Sequence, residues 1–178
     1  ANSGRDGFGD TDTYNNLYRV TGSDFDDKIW GNDNNNNIYG NGGDDVIFGN
    51  AGTDYIYGHA GNDVLNGGDG SDFIYSGSGS DEIDGGAGND ELWLHGSGSN
   101  GALINYTNQT IEHAGYSIAS NTAIDGSGNL DTFTNIEEIG GTSNDDIIWL
   151  GQTYSTSAYG DGGDDTYFVQ DGFDYIYI

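Results

Sequence analysis

From Gly22 to Trp93 the chain alternates short apolar beats with longer polar stretches at a fixed period of nine residues. The eight units read GSDFDDKIW, GNDNNNNIY, GNGGDDVIF, GNAGTDYIY, GHAGNDVLN, GGDGSDFIY, SGSGSDEID and GGAGNDELW. The eighth position is always aliphatic: Ile29, Ile38, Ile47, Ile56, Leu65, Ile74, Ile83 and Leu92. With polar or aromatic neighbours on either side, the last three residues run out-in-out, as a short half-buried strand does. The six before them are rich in Gly, Asn and Asp, types that tolerate the positive φ of tight turns. Each unit therefore predicts one turn and one strand. Two units close one coil of a flattened solenoid, so residues 18 apart lie above one another. The fold class expected is all-β, a parallel β-roll (right-handed β-solenoid).

The sixth position carries Asp27, Asn36, Asp45, Asp54, Asp63, Asp72, Asp81 and Asp90. Stacking sets Asp27, Asp45, Asp63 and Asp81 along one edge and Asp54, Asp72 and Asp90 along the other, where bare carboxylates one coil apart repel. Each adjacent pair calls for a cation. The chain has no cysteine, so the donors are hard oxygens: paired carboxylates and carbonyls in flexible glycine turns. That set selects calcium over zinc or copper, and over magnesium, which prefers a tighter octahedron. A formal charge of −27, from 30 acids against 3 bases, repels nucleic acid and anionic lipid and attracts multivalent cations. Eight aliphatic side chains form a thin core for 72 residues, so folding is expected to be coupled to metal.

These units resemble the RTX (repeats-in-toxin) calcium-binding nonapeptide family, whose pattern is GGxGxDxUx; GGDGSDFIY and GGAGNDELW match it at every defining position. The resemblance implies an ion between same-edge turns. It is held by the second- and fourth-position carbonyls and Asp of one turn, with the first- and third-position carbonyls and Asp of the other. Carried over, Asn41, Gly43 and Asp45 meet Gly58, Ala60 and Asp63, while His59, Gly61 and Asp63 meet Ser76, Ser78 and Asp81. On the other edge Asn50, Gly52 and Asp54 meet Gly67, Asp69 and Asp72, and Gly68, Gly70 and Asp72 meet Gly85, Ala87 and Asp90. Gly40, Gly42 and Asp27 complete the implied set. Phe25 in place of a glycine and Asn36 in place of an acid weaken the first turns. The family further implies a secreted or surface location, export by a type I route, folding on calcium outside the cell, and a toxin, adhesin or exoenzyme as parent.

Residues 94–140 break the period and read as a β-rich insert, after which repeats return over 141–178. Residues 11–30, TDTYNNLYRVTGSDFDDKIW, recur at a shift of 119 as LDTFTNIEEIGGTSNDDIIW, aligning Asp12 with Asp131 and Trp30 with Trp149. Residues 1–21 therefore read as the tail of a preceding insert or linker, and the chain as a block excised from a tandem array with neighbouring RTX modules as partners. If the insert loops out, Asp146 continues the Asp81 edge and pairs with Asp165, with Asn144, Gly160 and Gly162 as carbonyl donors. Tyr39, Tyr57, Tyr75 and Trp93 fall in one row at the ninth position, with Tyr55 and Phe73 beside them. The row is expected either to support strand stacking or to form a flat platform for a glycan or cell-surface ligand, the adhesin alternative. His59, His95 and His113 lack ligand spacing, and Glu112, Glu137 and Glu138 form no catalytic constellation, so no enzyme activity is expected. No apolar run reaches membrane-spanning length, and no membrane insertion by this segment is expected.

Overall fold

The structure, a computed structural model, describes residues 2–5, 11–14, 18–94, 100–151, 156–169 and 175–177, and every regular element among them is a strand. Strands β1 (Asn2–Arg5), β2 (Thr11–Tyr14) and β3 (Arg19–Thr21) lead into the repeats, the first of which forms β4 (Lys28–Trp30). These give β5 (Asn37–Gly42), β6 (Val46–Ala51), β7 (Tyr55–Ala60), β8 (Val64–Gly70), β9 (Phe73–Ser78), β10 (Glu82–Gly88) and β11 (Glu91–Trp93). The next segment forms β12 (Leu103–Thr107), β13 (Ile111–His113), β14 (Tyr116–Ile118), β15 (Thr122–Ile124), β16 (Leu130–Thr134) and β17 (Glu138–Gly140). β18 (Ile147–Gly151), β19 (Ser157–Tyr159), β20 (Thr166–Val169) and β21 (Tyr175–Tyr177) follow.

Successive repeats alternate between two sheets, making a parallel β-solenoid. One sheet runs β2-β1-β4-β6-β8-β10-β16-β15-β12-β18-β20 and the other β3-β5-β7-β9-β11-β17-β19-β21. The register is the 18-residue coil: Ile38 pairs with Ile56, Ile56 with Ile74, and Ile47 with Leu65. Alternation along each strand sends the eighth-position side chain inward, and all eight aliphatics are at most 2% exposed. They join one core cluster with Ile104, Phe133, Ile139 and Ile148.

The insert does not loop out of this stack. β16 pairs in parallel with β10, β15 and β12 follow antiparallel to their predecessors, and β18 then pairs in parallel with β12. In the second sheet β17 stands between β11 and β19. The reason is hydrophobic register: Phe133 lies across from Ile83 and Ile139 from Leu92, so both extend the buried aliphatic rows. Only the short hairpin of β13 and β14 forms a separate sheet among the described residues. Asp131, not Asp146, consequently follows Asp81 along its edge, which corrects the expected Asp81 to Asp146 continuation.

Candidate metal centre in the turns

The turns fall into two kinds, and the fourth residue decides which. Asn41, Asn50 and His59 at the second position have φ of 83°, 80° and 77°, and the fourth-position glycines behind them are also left-handed, as at Gly52 with φ 111°. Asn pays little to adopt this region, whereas a β-carbon at the fourth position meets backbone: one on Gly61 would lie 1.9 Å from the Gly43 carbonyl oxygen. The turns that begin at residues 40, 49, 58, 67, 76, 85 and 160 share this open form. Turns beginning at Gly22, Gly31 and Gly141 carry Phe25, Asn34 and Asn144 at the fourth position, and their second- and fourth-position residues are not left-handed.

In the open turns that begin at residues 40, 49, 58, 67, 76 and 85 each aspartate uses one oxygen and leaves the other free of protein donors. Asp45 Oδ1 accepts the Asp27 N–H at 2.8 Å, Asp63 Oδ1 that of Asp45, and Asp81 Oδ1 that of Asp63. On the other edge Asp54, Asp72 and Asp90 do the same for Asn36, Asp54 and Asp72. Oδ2 of Asp45, Asp54, Asp63, Asp72, Asp81 and Asp90 is buried and accepts no hydrogen bond from the protein. A lone buried acceptor costs about 1–3 kcal/mol, and more when charged. Into the same space turns a carbonyl from the next coil: a β-carbon on Gly49 would meet Asp54 Oδ2 at 2.3 Å and the Gly67 oxygen at 2.4 Å. For Gly58 the corresponding atoms are Asp63 Oδ2 at 2.5 Å and the Ser76 oxygen at 2.4 Å. Carboxylate and carbonyl oxygens thus converge in a cradle that any side chain at these glycines would fill.

Electrostatics agrees with the geometry. Burial pushes Asp45, Asp54 and Asp81 from the ordinary 3.8 up to about 7, and Asp63 and Asp90 up to about 6. The backbone N–H received by each offsets part of this, and neighbouring carboxylates add to it, Asp63 and Asp27 in the case of Asp45. Among the described residues no three acidic, histidine or cysteine side chains converge, and the oxygens that meet the free Asp54 and Asp63 carboxylate atoms are backbone carbonyls. Hard oxygen donors on adaptable turns fit calcium.

The closed turns do not fit it in this way. Asp27 Oδ2 accepts the Ser23 N–H at 2.6 Å and its hydroxyl at 2.9 Å, and Asn36 Oδ1 accepts the Asn32 N–H. Asp146 Oδ2 accepts the Thr142 N–H, while Oδ1 accepts the Ala102 N–H and the Thr142 hydroxyl. Each of these carboxylate or amide groups closes its own turn. Asp146 does stack on Asp165, donating its N–H to Asp165 Oδ1 at 2.9 Å, and a β-carbon on Gly160 would meet Asp165 Oδ2. Gly162 and Asn144 flank this contact without a free carboxylate from Asp146.

Two acids that the nonapeptide pattern misses complete the edges. Asp131 Oδ1 accepts the Asp81 N–H at 2.9 Å, as the next repeat's aspartate would, and burial pushes its carboxyl up to about 8. Glu137 Oε2 accepts the Asp90 N–H at 2.9 Å, and a β-carbon on Gly85 would meet the Asn135 carbonyl oxygen. The recurrence of residues 11–30 at 130–149, which sets Asp131 and Asn135 at fixed places ahead of a repeat, is the signal that marks this segment.

The aromatic row is ordered differently from a flat platform. Tyr39, Tyr57 and Tyr75 stack with centroids 4.7 and 4.6 Å apart and planes within 6° of parallel. Rings lying flat on the sheet could not approach so closely edge to edge, so they stand face to face along the roll axis, at the strand spacing. Arg19 caps the Tyr39 end, its Cζ 4.4 Å from the ring centroid. Trp93 leans over Gly140, where a β-carbon would touch its indole, and stacks toward Tyr159, which in turn stacks on Tyr177 at 4.5 Å. The ring faces of Tyr39, Tyr57 and Tyr75 are thus turned toward one another along the row, the arrangement in which the row supports strand stacking. His59 lies 6.0 Å from the rings of Tyr39 and Tyr57, and His113 packs edge-on to Trp149. His95 lies outside the described residues.

Residues 21–56, 30–65, 57–92 and 158–177 match the family model described as RTX calcium-binding nonapeptide repeat, in four copies that together span just over half of the chain. No curated protein matches the chain.

Proposed function

The chain belongs to the RTX calcium-binding nonapeptide repeat family, and from that premise we propose that it is a module of an RTX protein that folds when calcium enters its open turns. The observation that carries this reading is the set of buried Oδ2 atoms with no protein donor on Asp45, Asp54, Asp63, Asp72, Asp81 and Asp90. Asp45, Asp63 and Asp81 hold ions along one edge and Asp54, Asp72 and Asp90 along the other, with the second- and fourth-position carbonyls of one turn and the first- and third-position carbonyls of the next. Bound calcium supplies positive charge in an adaptable shell of about six to eight oxygens. The second-position Asn41, Asn50 and His59 and the fourth-position glycines keep the turns open, and the closed turns at Gly22, Gly31 and Gly141 serve as spacers.

A chain that cannot bury these carboxylates without calcium stays unfolded where the ion is scarce. That property suits export in an unfolded state through a type I route, followed by folding outside the cell, where calcium is plentiful. Circular dichroism during a calcium titration tests the folding claim: β structure should appear with calcium and vanish with chelator, and equal compactness after exhaustive chelation overturns it. Localisation of the protein in the culture medium rather than the cytosol tests the export claim.

A further inference from the structure

The free oxygen of each open-turn aspartate faces forward along the roll. Asp72 Oδ1 accepts the Asp54 N–H of the coil behind it, while a β-carbon on Gly67 would lie 2.4 Å from Asp72 Oδ2 and 2.5 Å from the Gly85 oxygen of the coil ahead. Asp90 obeys the same rule. Its Oδ1 accepts the Asp72 N–H at 2.8 Å, and its Oδ2 is buried without a protein donor. The ion shared with Asp72 therefore leaves this second oxygen unsatisfied, although no nonapeptide turn stands ahead of it. We propose that Asp90 and Glu137 hold a further calcium ion, between the last open turn before the period breaks and the shortened turn that joins β16 to β17. The inference deepens the calcium reading above and rests on it.

Thr134 pairs with Asp84 and Glu138 with Glu91, so the turn from Gly85 to Asp90 is faced by Asn135, Ile136 and Glu137 alone. This short turn nevertheless rebuilds the donors of a repeat. A β-carbon on Gly85 would meet the Asn135 carbonyl oxygen and lie 2.9 Å from Asp90 Oδ2, so Asn135 takes the place that Gly85 takes ahead of Gly67. Asn135 is left-handed, with φ 52°, and its side chain donates to Asp84 Oδ1 at 2.7 Å, which fixes the direction of that carbonyl. The Tyr106 hydroxyl donates to the Ile136 carbonyl and holds the turn from its other side.

Glu137 Oε2 accepts the Asp90 N–H at 2.9 Å, as the Oδ1 of a following aspartate would. Glutamate rather than aspartate suits the position, because its extra methylene spans what the shortened turn loses. The Glu137 charge is among those that raise the Asp90 carboxyl, so the two acids repel until a cation stands between them. Gly86 and Gly88, with φ 101° and 150°, keep the turn at Gly85 in the open form. The donor set is then the carboxylates of Asp90 and Glu137 with the carbonyls of Gly86, Gly88 and Asn135. A three-residue turn has no third-position carbonyl to offer, and water completes the shell, which calcium accepts. The ion is accordingly held more weakly than those between two repeats, and it clamps β17 against β11.

The test is a count of bound calcium by isothermal titration, with circular dichroism on the same samples. Glu137→Gln keeps an acceptor for the Asp90 N–H but removes the charge, and it should bind one ion fewer than the wild-type chain. Glu138→Gln is the control: that carboxylate accepts from the Asn89 amide and the Tyr159 hydroxyl beside the turn, and the variant should bind the wild-type number. A purely structural Glu137 would leave the count unchanged. An unchanged count in folded Glu137→Gln, or an equal loss in Glu138→Gln, overturns this site while leaving the ions between repeats intact. Where Glu137→Gln does not fold in calcium, Glu137→Asp, one methylene too short, should need severalfold more calcium to fill its last site, and a wild-type isotherm overturns the proposal. A wild-type chain that gains no β structure in calcium would instead overturn the calcium reading.

Discussion

Asp63→Asn should act with opposite signs on the calcium-free and calcium-bound chain. The substitution keeps Oδ1 as acceptor for the Asp45 N–H, a 2.8 Å bond, and replaces the buried Oδ2 by an uncharged amide. Burial raises the Asp63 carboxyl from 3.8 to about 6. At about 1.4 kcal/mol per pKa unit this penalty is at most about 3 kcal/mol near neutral pH, and solvent near the turn lowers it to about 1–2 kcal/mol. Removing the charge therefore stabilises the calcium-free roll by about 1–2 kcal/mol and removes a ligand from the ions on both sides of the turn. Asp27→Asn is the matched control, because Asp27 already closes its own turn through Ser23. Isothermal titration with calcium should show fewer ions bound by Asp63→Asn and an unchanged number for Asp27→Asn, while circular dichroism in chelator should show more residual structure in the former. An unchanged ion count in Asp63→Asn, or an equal loss in Asp27→Asn, would refute the division into open and closed turns.

The raised carboxyls fix the sign of a pH effect. Between about 4 and 7 the calcium-free roll binds more protons than the unfolded chain, because Asp45, Asp54 and Asp81 titrate near 7 rather than 3.8; its stability falls as pH rises through that window. Circular dichroism in chelator should show structure returning on acidification, and the calcium midpoint should move to higher concentration as protons compete. Gly70→Ala should cost about 3 kcal/mol or more in calcium, since φ is 146° and the new β-carbon would lie 1.7 Å from the Gly52 oxygen. Gly115→Ala, with nothing within 4 Å, should cost about 1 kcal/mol; denaturant midpoints in calcium compare the two. Tyr57→Ala breaks the stack between Tyr39 and Tyr75 and should lower stability by about 1–2 kcal/mol without altering the ion count.

The strict nine-residue register made the coil legible, because an eighth-position aliphatic admits only one inward face and the 18-residue pairing follows from it. The sixth-position acids likewise marked the edges. What the pattern did not reveal is that the same acid performs two tasks: Asp63 bridges coils with a free oxygen, whereas Asp27 and Asp146 use theirs to tie their own turns. The difference resides in another residue, the glycine two positions before the acid. Gly61 permits the left-handed turn that carries the second-position N–H away from Asp63; Phe25 and Asn144 do not adopt it, and the N–H of Ser23 and Thr142 reaches the carboxylate instead. The insert was opaque for a different reason. Asp131 reaches the ladder from β16, which precedes β15 and β12 in the sheet although it follows them in the chain, and Glu137 reaches it from the residue before β17, after the period has broken; periodicity carries no information about either. Only the recurrence of residues 11–30 at 130–149 bears on it, because a segment written twice ahead of a repeat has to solve the same packing problem twice. Inside the chain that problem is the joining of a new stack of coils to a finished one, and β16 and β17 show the solution: an acid to receive the Asp81 N–H and apolar side chains to continue both buried rows.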